Sequence, residues 1–231
     1  MHKGNALCSR LSRVNAGIDA ATLGVAMLLL VAALAAAATA APSAKCSICG
    51  KNLIKNPGAD AGLGITAVDA FGSVPGWTNV AGQFGAASYT IPNGWFSARS
   101  KGPKNRGKNY FFGGTTRAAI EAPATIGSQT IKLPAAAVGK TATLSGWLGN
   151  YAQNRSQVNA QFEDAAGTLL STVRIGPAVT IAGIDMAARS RSGKVPAGTK
   201  QVTIVVTFRT YSGGSPGYKL AGADALSLVL S

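Results

Sequence analysis

The chain has 231 residues, with 22 Lys+Arg against 8 Asp+Glu for a formal charge of +14; 47% of it is hydrophobic and 13% charged. That is too apolar and too sparsely charged for a disordered chain, and 29 glycines without a strict period exclude collagen while suiting many tight turns. The only histidine is His2, so a form without its leader has no Ser-His-Asp or Cys-His nucleophile system and no His-ligated metal.

Residues 1–41 read as a signal peptide. Lys3, Arg10 and Arg13 form a basic start, Val25 to Ala41 is an uncharged apolar run, and Ala38-Thr39-Ala40 or Thr39-Ala40-Ala41 fits small-x-small cleavage. The apolar stretch from Ala20 is also long enough to span a bilayer if it is retained as an N-terminal anchor. Positive charge on its N-terminal flank puts the rest of the chain outside in either case, so membrane contact is expected only through an uncleaved leader. Cleavage after Ala41 leaves 19 basic against 7 acidic residues.

Residues 42–51 make a short linker carrying Cys46 and Cys49. No strand precedes Cys46-Ser-Ile-Cys49, which argues against a thioredoxin-like dithiol. Zinc would need two further ligands that the mature chain lacks. A small local disulfide in an oxidising compartment is expected, with intermolecular pairing as the alternative.

From Asn52 to Ser231 the pattern is of short strands separated by Gly, Pro and Asn. Strands are expected at Asn52–Lys55, Phe84–Thr90, Asn109–Gly113, Ala118–Ala122, Thr141–Tyr151, Gln157–Glu163, Thr168–Ile175, Lys200–Tyr211 and Ala225–Leu230. Pro134 to Val138 reads as one short turn, and Ala178–Ala188 gives no clear signal. Three strands alternate with a period of two. Leu144, Gly146 and Leu148 oppose Thr143, Ser145, Trp147 and Tyr151. Val158, Ala160 and Phe162 oppose Gln157, Asn159 and Gln161. Val202, Ile204, Val206 and Phe208 oppose Thr203, Val205, Thr207, Arg209 and Tyr211. These features predict an all-β sandwich or barrel.

Several motifs, in this order, resemble galactose-binding-domain-like jelly rolls, which include carbohydrate-binding modules and secreted actinobacterial proteins. They are Asn52-Leu-Ile-Lys-Asn-Pro-Gly-Ala-Asp60, Val74-Pro-Gly-Trp77, Gly107-Lys-Asn-Tyr-Phe-Phe-Gly-Gly114, Leu144 to Tyr151 with Val158 to Gly167 as a central hairpin, Val195-Pro-Ala-Gly-Thr199, and Ala223 to Leu230. The resemblance implies an antiparallel jelly-roll β-sandwich over 52–231, extracytoplasmic and usually non-catalytic, often sugar-binding. It also implies one structural calcium ion tying the first and last strands. Asp60, where the family more often has Glu, and Asp224 would supply its carboxylates, because calcium takes hard oxygen ligands.

Sugar recognition needs an aromatic ring for C–H faces and amides for hydroxyls. Trp147, Tyr151, Gln157, Asn159 and Gln161 are expected to share one such face, with Arg209 on the matching face of a later strand. Trp77, after Pro75-Gly76, fits a core or sheet edge better. Arg99, Lys101, Lys104, Arg106 and Lys108 form a basic loop, with Arg189, Arg191 and Lys194 as a second cluster. On an exported protein such charge favours anionic envelope polymers, and no motif for specific nucleic-acid recognition is present. A glycosidase would need two carboxylates across a cleft. The acids available are few, and adjacent Glu163 and Asp164 would point to opposite faces of a strand, so no enzyme is expected. The sequence thus predicts a secreted, non-catalytic module for cell-wall or environmental polysaccharide. The alternative is a structural surface protein held on anionic envelope polymers or by its anchor.

Overall fold

A computed structural model describes residues 45–67, 70, 72–91, 96–150, 154–178, 185–210 and 217–231. The leader, Asp69, Tyr151 and Tyr211 lie outside the described residues. The elements run β1 (Thr78–Ala81), β2 (Gly85–Ser88), β3 (Asn109–Phe112), α1 (Arg117–Glu121), β4 (Thr125–Lys132), β5 (Thr141–Asn150), β6 (Arg155–Glu163), β7 (Leu169–Ala178), β8 (Met186–Lys194), β9 (Gln201–Arg209) and β10 (Ala221–Leu230). They form two five-stranded sheets, ordered β1-β4-β9-β6-β7 and β2-β3-β10-β5-β8, with antiparallel pairing throughout. The result is the jelly-roll sandwich that the motifs imply.

Alternation explains the layering. Leu144 and Leu148 of β5, Val158 and Phe162 of β6, Val202, Ile204, Val206 and Phe208 of β9, and Leu228 of β10 are fully buried between the sheets. Each such side chain contributes about 1.5–3 kcal/mol of burial. Trp77 belongs to the rim of this core. Its ring meets Phe111 edge-on at 4.9 Å, and its Nε1 donates to the Lys55 carbonyl at 3.1 Å.

Several expectations are corrected. The strand expected at Ala118–Ala122 is α1, because Thr116 caps it by accepting from the Ala119 N–H and Arg117 pairs with Glu121 one turn on. Asn52–Lys55 forms no regular ladder but runs beside β10. The Leu53 N–H donates to the Leu228 carbonyl, and the Asn52 side chain donates to Leu226 O and accepts from Leu228 N–H. β5 and β6 are not a hairpin, since β5 lies in the β2-β3-β10-β5-β8 sheet and β6 in the other.

β1, β4 and β8 carry no visible alternation in the sequence, each for its own reason. β1 is a four-residue edge strand, exposed along most of its length. The inner face of β4 is Thr125, Gly127 and Gln129; a Cβ on Gly127 would strike the Phe84 ring, so the core demands a glycine there. β8 is an edge strand, exposed over most of its length.

Candidate functional site

The outward residues of β6, β7 and β9 build a cleft of about 450 Å3. Its lining includes Arg155, Gln157 and Asn159 from β6, Arg174 from β7, and Thr207 and Arg209 from β9. The register places Arg155 directly opposite Arg209, Gln157 opposite Thr207, and Asn159 between Val205 and Arg174. Gln157 Nε2 donates to Asn159 Oδ1 at 3.1 Å, so the two amides hold one another in position and leave Gln157 Oε1 and the Asn159 amide nitrogen to meet a hydroxyl. No carboxylate stands among the described lining residues. The acid on this face is Glu163, at the far end of β6, where it accepts from Gln201 Nε2 and Thr203 Oγ1.

Gln157, Asn159 and Arg209 are thus brought together. Gln161 shares their outward face one step further along, opposite Thr203, and does not line the cleft. Arg155, Arg174 and Thr207 were not anticipated. They lie on three strands, and only the register joins them.

Trp147 is elsewhere. It sits on the outer face of the other sheet, half-buried against the cluster of Tyr89, Phe96, Tyr110, Phe112 and Met186. A period of two assigns a residue to one side of its own strand, but β5 and β6 lie in opposite sheets, so their outward faces point apart. The single aromatic-and-amide face expected from the sequence therefore does not form with Trp147. Tyr151 lies outside the described residues.

The basic loop is divided by its contacts. Arg99, Lys101, Lys104 and Lys108 are exposed. Arg106 is not a free cation: its guanidinium donates to the carbonyls of Ser97, Ser100 and Pro103 at 2.7–3.1 Å and lies 5.0 Å from the centre of the Tyr89 ring. It organises the loop instead of presenting charge. Arg189 and Arg191 are exposed on the edge strand β8, at registers opposite Gly146 and Leu144, with Lys194 at its end.

Asp60 and Asp224 do come together. A Cβ on Gly58 would stand 2.7 Å from Asp60 Oδ2 and 3.0 Å from Asp224 Oδ1, and one on Gly107 would collide with the Asp60 carboxylate. Glycine at both positions keeps room for the two acids. Asp60 Oδ1 accepts from the Lys108 and Asn109 N–H groups, so Asp60 holds a distant loop and not its own turn. Asp224 is 1% exposed and accepts from Tyr89 Oη and the Ala225 N–H. Burial lifts its pKa to about 6; the Tyr89 and Ala225 hydrogen bonds oppose the shift, Asp60 adds to it, and Arg106 opposes it. Burial and the Asp224 charge push the Tyr89 hydroxyl upward in turn. Asp60 is exposed and Asp224 is buried, so the two carboxylates meet at the edge of the core, and among the described residues no third carboxylate, His or Cys joins them. Cys46 and Cys49 are joined in a disulfide.

No family model matches the chain, and no curated protein matches it. Solved structures do. A cyclase from Fischerella sp. TAU in complex with 4-(1H-indol-3-yl)butan-2-one superposes with a TM-score of 0.53 at 16% identity, over 77% of this chain and 96% of that one. The enzymatically active domain of tailspike protein 4 of bacteriophage CBA120 gives 0.50 at 14%, over 78% of this chain but only 21% of that one. A family 16 carbohydrate-binding module gives 0.47 at 19%, over 77% and 99%. At such identities the likeness is one of fold, and the fold it supports is the jelly-roll β-sandwich.

Proposed function

We propose that the protein is a secreted, non-catalytic polysaccharide-binding module whose contact surface is the β6–β9–β7 cleft. The carrying observation is the coupled pair Gln157 and Asn159, fixed on a sheet and lining an open cleft with Thr207 beside them. Such a surface can exchange donors and acceptors with sugar hydroxyls without rearranging. Fold alone does not decide between binding and catalysis, since the structures sharing it include enzymes. The absence of carboxylate, thiol and imidazole from the described lining supports the non-catalytic reading. Exposed Arg99, Lys101, Lys104 and Lys108 would add a weaker, salt-sensitive attraction to anionic envelope polymers on the extracellular side.

The test is affinity electrophoresis through gels containing soluble polysaccharides. Gln157→Ala with Asn159→Ala should reduce retardation about tenfold or more, with an unchanged thermal midpoint, since two hydrogen-bonding contacts are lost at about 0.5–1.5 kcal/mol each. Full retardation of the double variant would reject this surface.

A structural calcium ion held by Asp60 and Asp224 belongs to the same proposal. It would offset the repulsion of the two acids and tie the 56–60 turn to the last strand. At 100 times its Kd such an ion stabilises by about 2.7 kcal/mol, roughly 5–10 °C in Tm for a domain of this size. Chelator should remove that rise and Asp60→Ala should erase it. Identical melting curves with and without calcium would refute the site.

A further inference from the structure

We infer a second ligand site on the opposite sheet, a pocket of about 330 Å3 beside Trp147 that takes one acidic sugar residue, free or at a chain end, with Arg189 receiving its carboxylate or phosphate. The site is separate from the β6–β9–β7 cleft and does not depend on it. The pocket arises from a bulge. In the β10–β5 ladder Asp224 pairs with Trp147 and Ser227 with Ser145, so Ala225 and Leu226 together oppose Gly146. Ala225 is the extra residue, at a φ of 49° that side chains rarely adopt, and Asp224 Oδ1 holds it there by accepting its N–H at 2.6 Å. A recess is left between Ala225, Trp147 and β8. Backbone strain of this kind collects where a fold shapes a ligand site.

The lining is polar on one side. Ser145 and Ser190 are direct cross-strand partners, one row from the Trp147–Ala188 pair. One row further, Thr143 and Ser192 close on each other at 2.9 Å, whereas among the described residues the Ser145 and Ser190 hydroxyls make no such bond. Arg189 stands opposite Gly146, which alternation makes an inward position. Because β8 is an edge strand, the side chain stays exposed instead. It folds back to donate from Nη1 to the Ala188 carbonyl at 3.2 Å, and it lines the pocket with Trp147 and Ser145. No carboxylate stands among the described lining residues. The acid nearest in register, Asp224, is buried and accepts from Tyr89 and Ala225.

These groups match one acidic sugar. The indole and the methyls of Ala188 and Ala225 suit the C–H groups of a sugar ring. The two serines exchange donors and acceptors with its hydroxyls, and the guanidinium offers its remaining N–H groups to an oxyanion. The indole and hydroxyl rows are two residues apart, about 6.7 Å at 3.3–3.4 Å per residue, comparable with the breadth of a single pyranose. The roofed aromatic cluster bounds one side and the closed Thr143–Ser192 pair the other, so the pocket seats one residue and not a length of polymer. Long polymers present few ends, so their retention reports the cleft and not this pocket.

The experiment titrates the full chain and follows the indole N–H NMR signal of Trp147, assigned as the one that Trp147→Phe removes. The probes are methyl glucuronide, methyl galacturonide and glucose 6-phosphate, each beside the neutral methyl glycoside. At least one acidic sugar should shift the signal and bind about tenfold or more tightly than its neutral counterpart, and the carboxylate and phosphate arms show which oxyanion is taken. Arg189→Gln should weaken that sugar about tenfold, and Arg189→Lys, which keeps the charge but loses the fork, should fall between. Arg191→Gln removes the same charge two residues along β8 and should change affinity by less than about twofold. Gln157→Ala with Asn159→Ala should leave the response unchanged.

No shift of the Trp147 signal with any probe would overturn the inference and leave the polysaccharide cleft standing. Equal affinity for the neutral glycosides would also overturn it, because the anion would then play no part. Equal losses from Arg189→Gln and Arg191→Gln would reduce it to generic attraction and overturn it. A response abolished by the Gln157 and Asn159 changes would move the acidic sugar into the cleft and end the second site.

Discussion

The sandwich has two outer faces, and they differ in how they meet water. On the β2-β3-β10-β5-β8 sheet, the outward side chains Tyr110 and Phe112 are roofed by Tyr89, Ile91 and Phe96. Phe96 rests where cross-strand partners Gly149 and Gly222 leave space; a Cβ on either would stand 2.6–2.8 Å from its ring. Arg106 fastens the roof by gathering three loop carbonyls and covering Tyr89. On the β1-β4-β9-β6-β7 sheet the outward positions of β6 and β9 are amides, hydroxyls and arginines, and they line an open cleft. Aromatics facing outward on a strand therefore recruit a covering loop. Polar groups held in ladder register recruit no such cover and line a cleft instead. An outward aromatic near the middle of a jelly roll is poor evidence for a sugar platform until its sheet is known.

Breaking the roof should have the largest effect. Phe96→Ala should cost about 3–5 kcal/mol in urea unfolding, as large-to-small core changes do, while polysaccharide retention per folded molecule stays within twofold. A loss under about 1 kcal/mol would mean the second cluster is not a core.

Trp147→Ala sharpens the comparison more directly. The residue is half-buried on the roofed side, so the expected loss is about 1–3 kcal/mol of stability with retention unchanged. Abolished retention in a folded Trp147→Ala protein would move the binding surface to the other sheet. The smallest effect belongs to the exposed loop. Lys104→Glu with Lys108→Glu should shift stability by no more than about 0.5 kcal/mol and weaken adhesion to anionic wall material only at low salt. Unchanged adhesion at low salt would dismiss the loop as a contact.

Much of the fold was legible because β5, β6 and β9 each put an apolar side toward the core, and period-two alternation reports that directly. β4 stayed hidden because its inner face is filled by Phe84 reaching over Gly127 and by Gln129, which serves Lys55 and Gly76 through hydrogen bonds. The candidate site was half legible. Gln157, Asn159 and Arg209 could be read as outward residues of strands. Arg155 and Arg174 could not be joined to them, because nothing local to a strand says which neighbour it pairs with. The same ignorance put Trp147 on the wrong face. Asp60 and Asp224 were different: a turn motif and a closing strand motif, each tied to an end of the domain, carried enough topology to predict their meeting.

The segment beside β10 has a mechanical consequence. Gly50 donates to Leu230, Leu53 to Leu228, and the Asn52 side chain takes both a donor and an acceptor of the last strand, so the incoming chain lies antiparallel along the outgoing one. The disulfide closes a loop of its own upstream and does not bridge this contact. A pull on the chain before Cys46, opposed by polymer gripped at the cleft, would load these bonds one after another from the Gly50 end, as a zipper opens. Asn52, with its paired contacts to Leu226 and Leu228, would be the second catch, and behind it the Leu53 N–H to Leu228 and the Leu226 N–H to the Pro57 carbonyl would still hold, so the load would be taken in steps along the segment before it reached the sandwich.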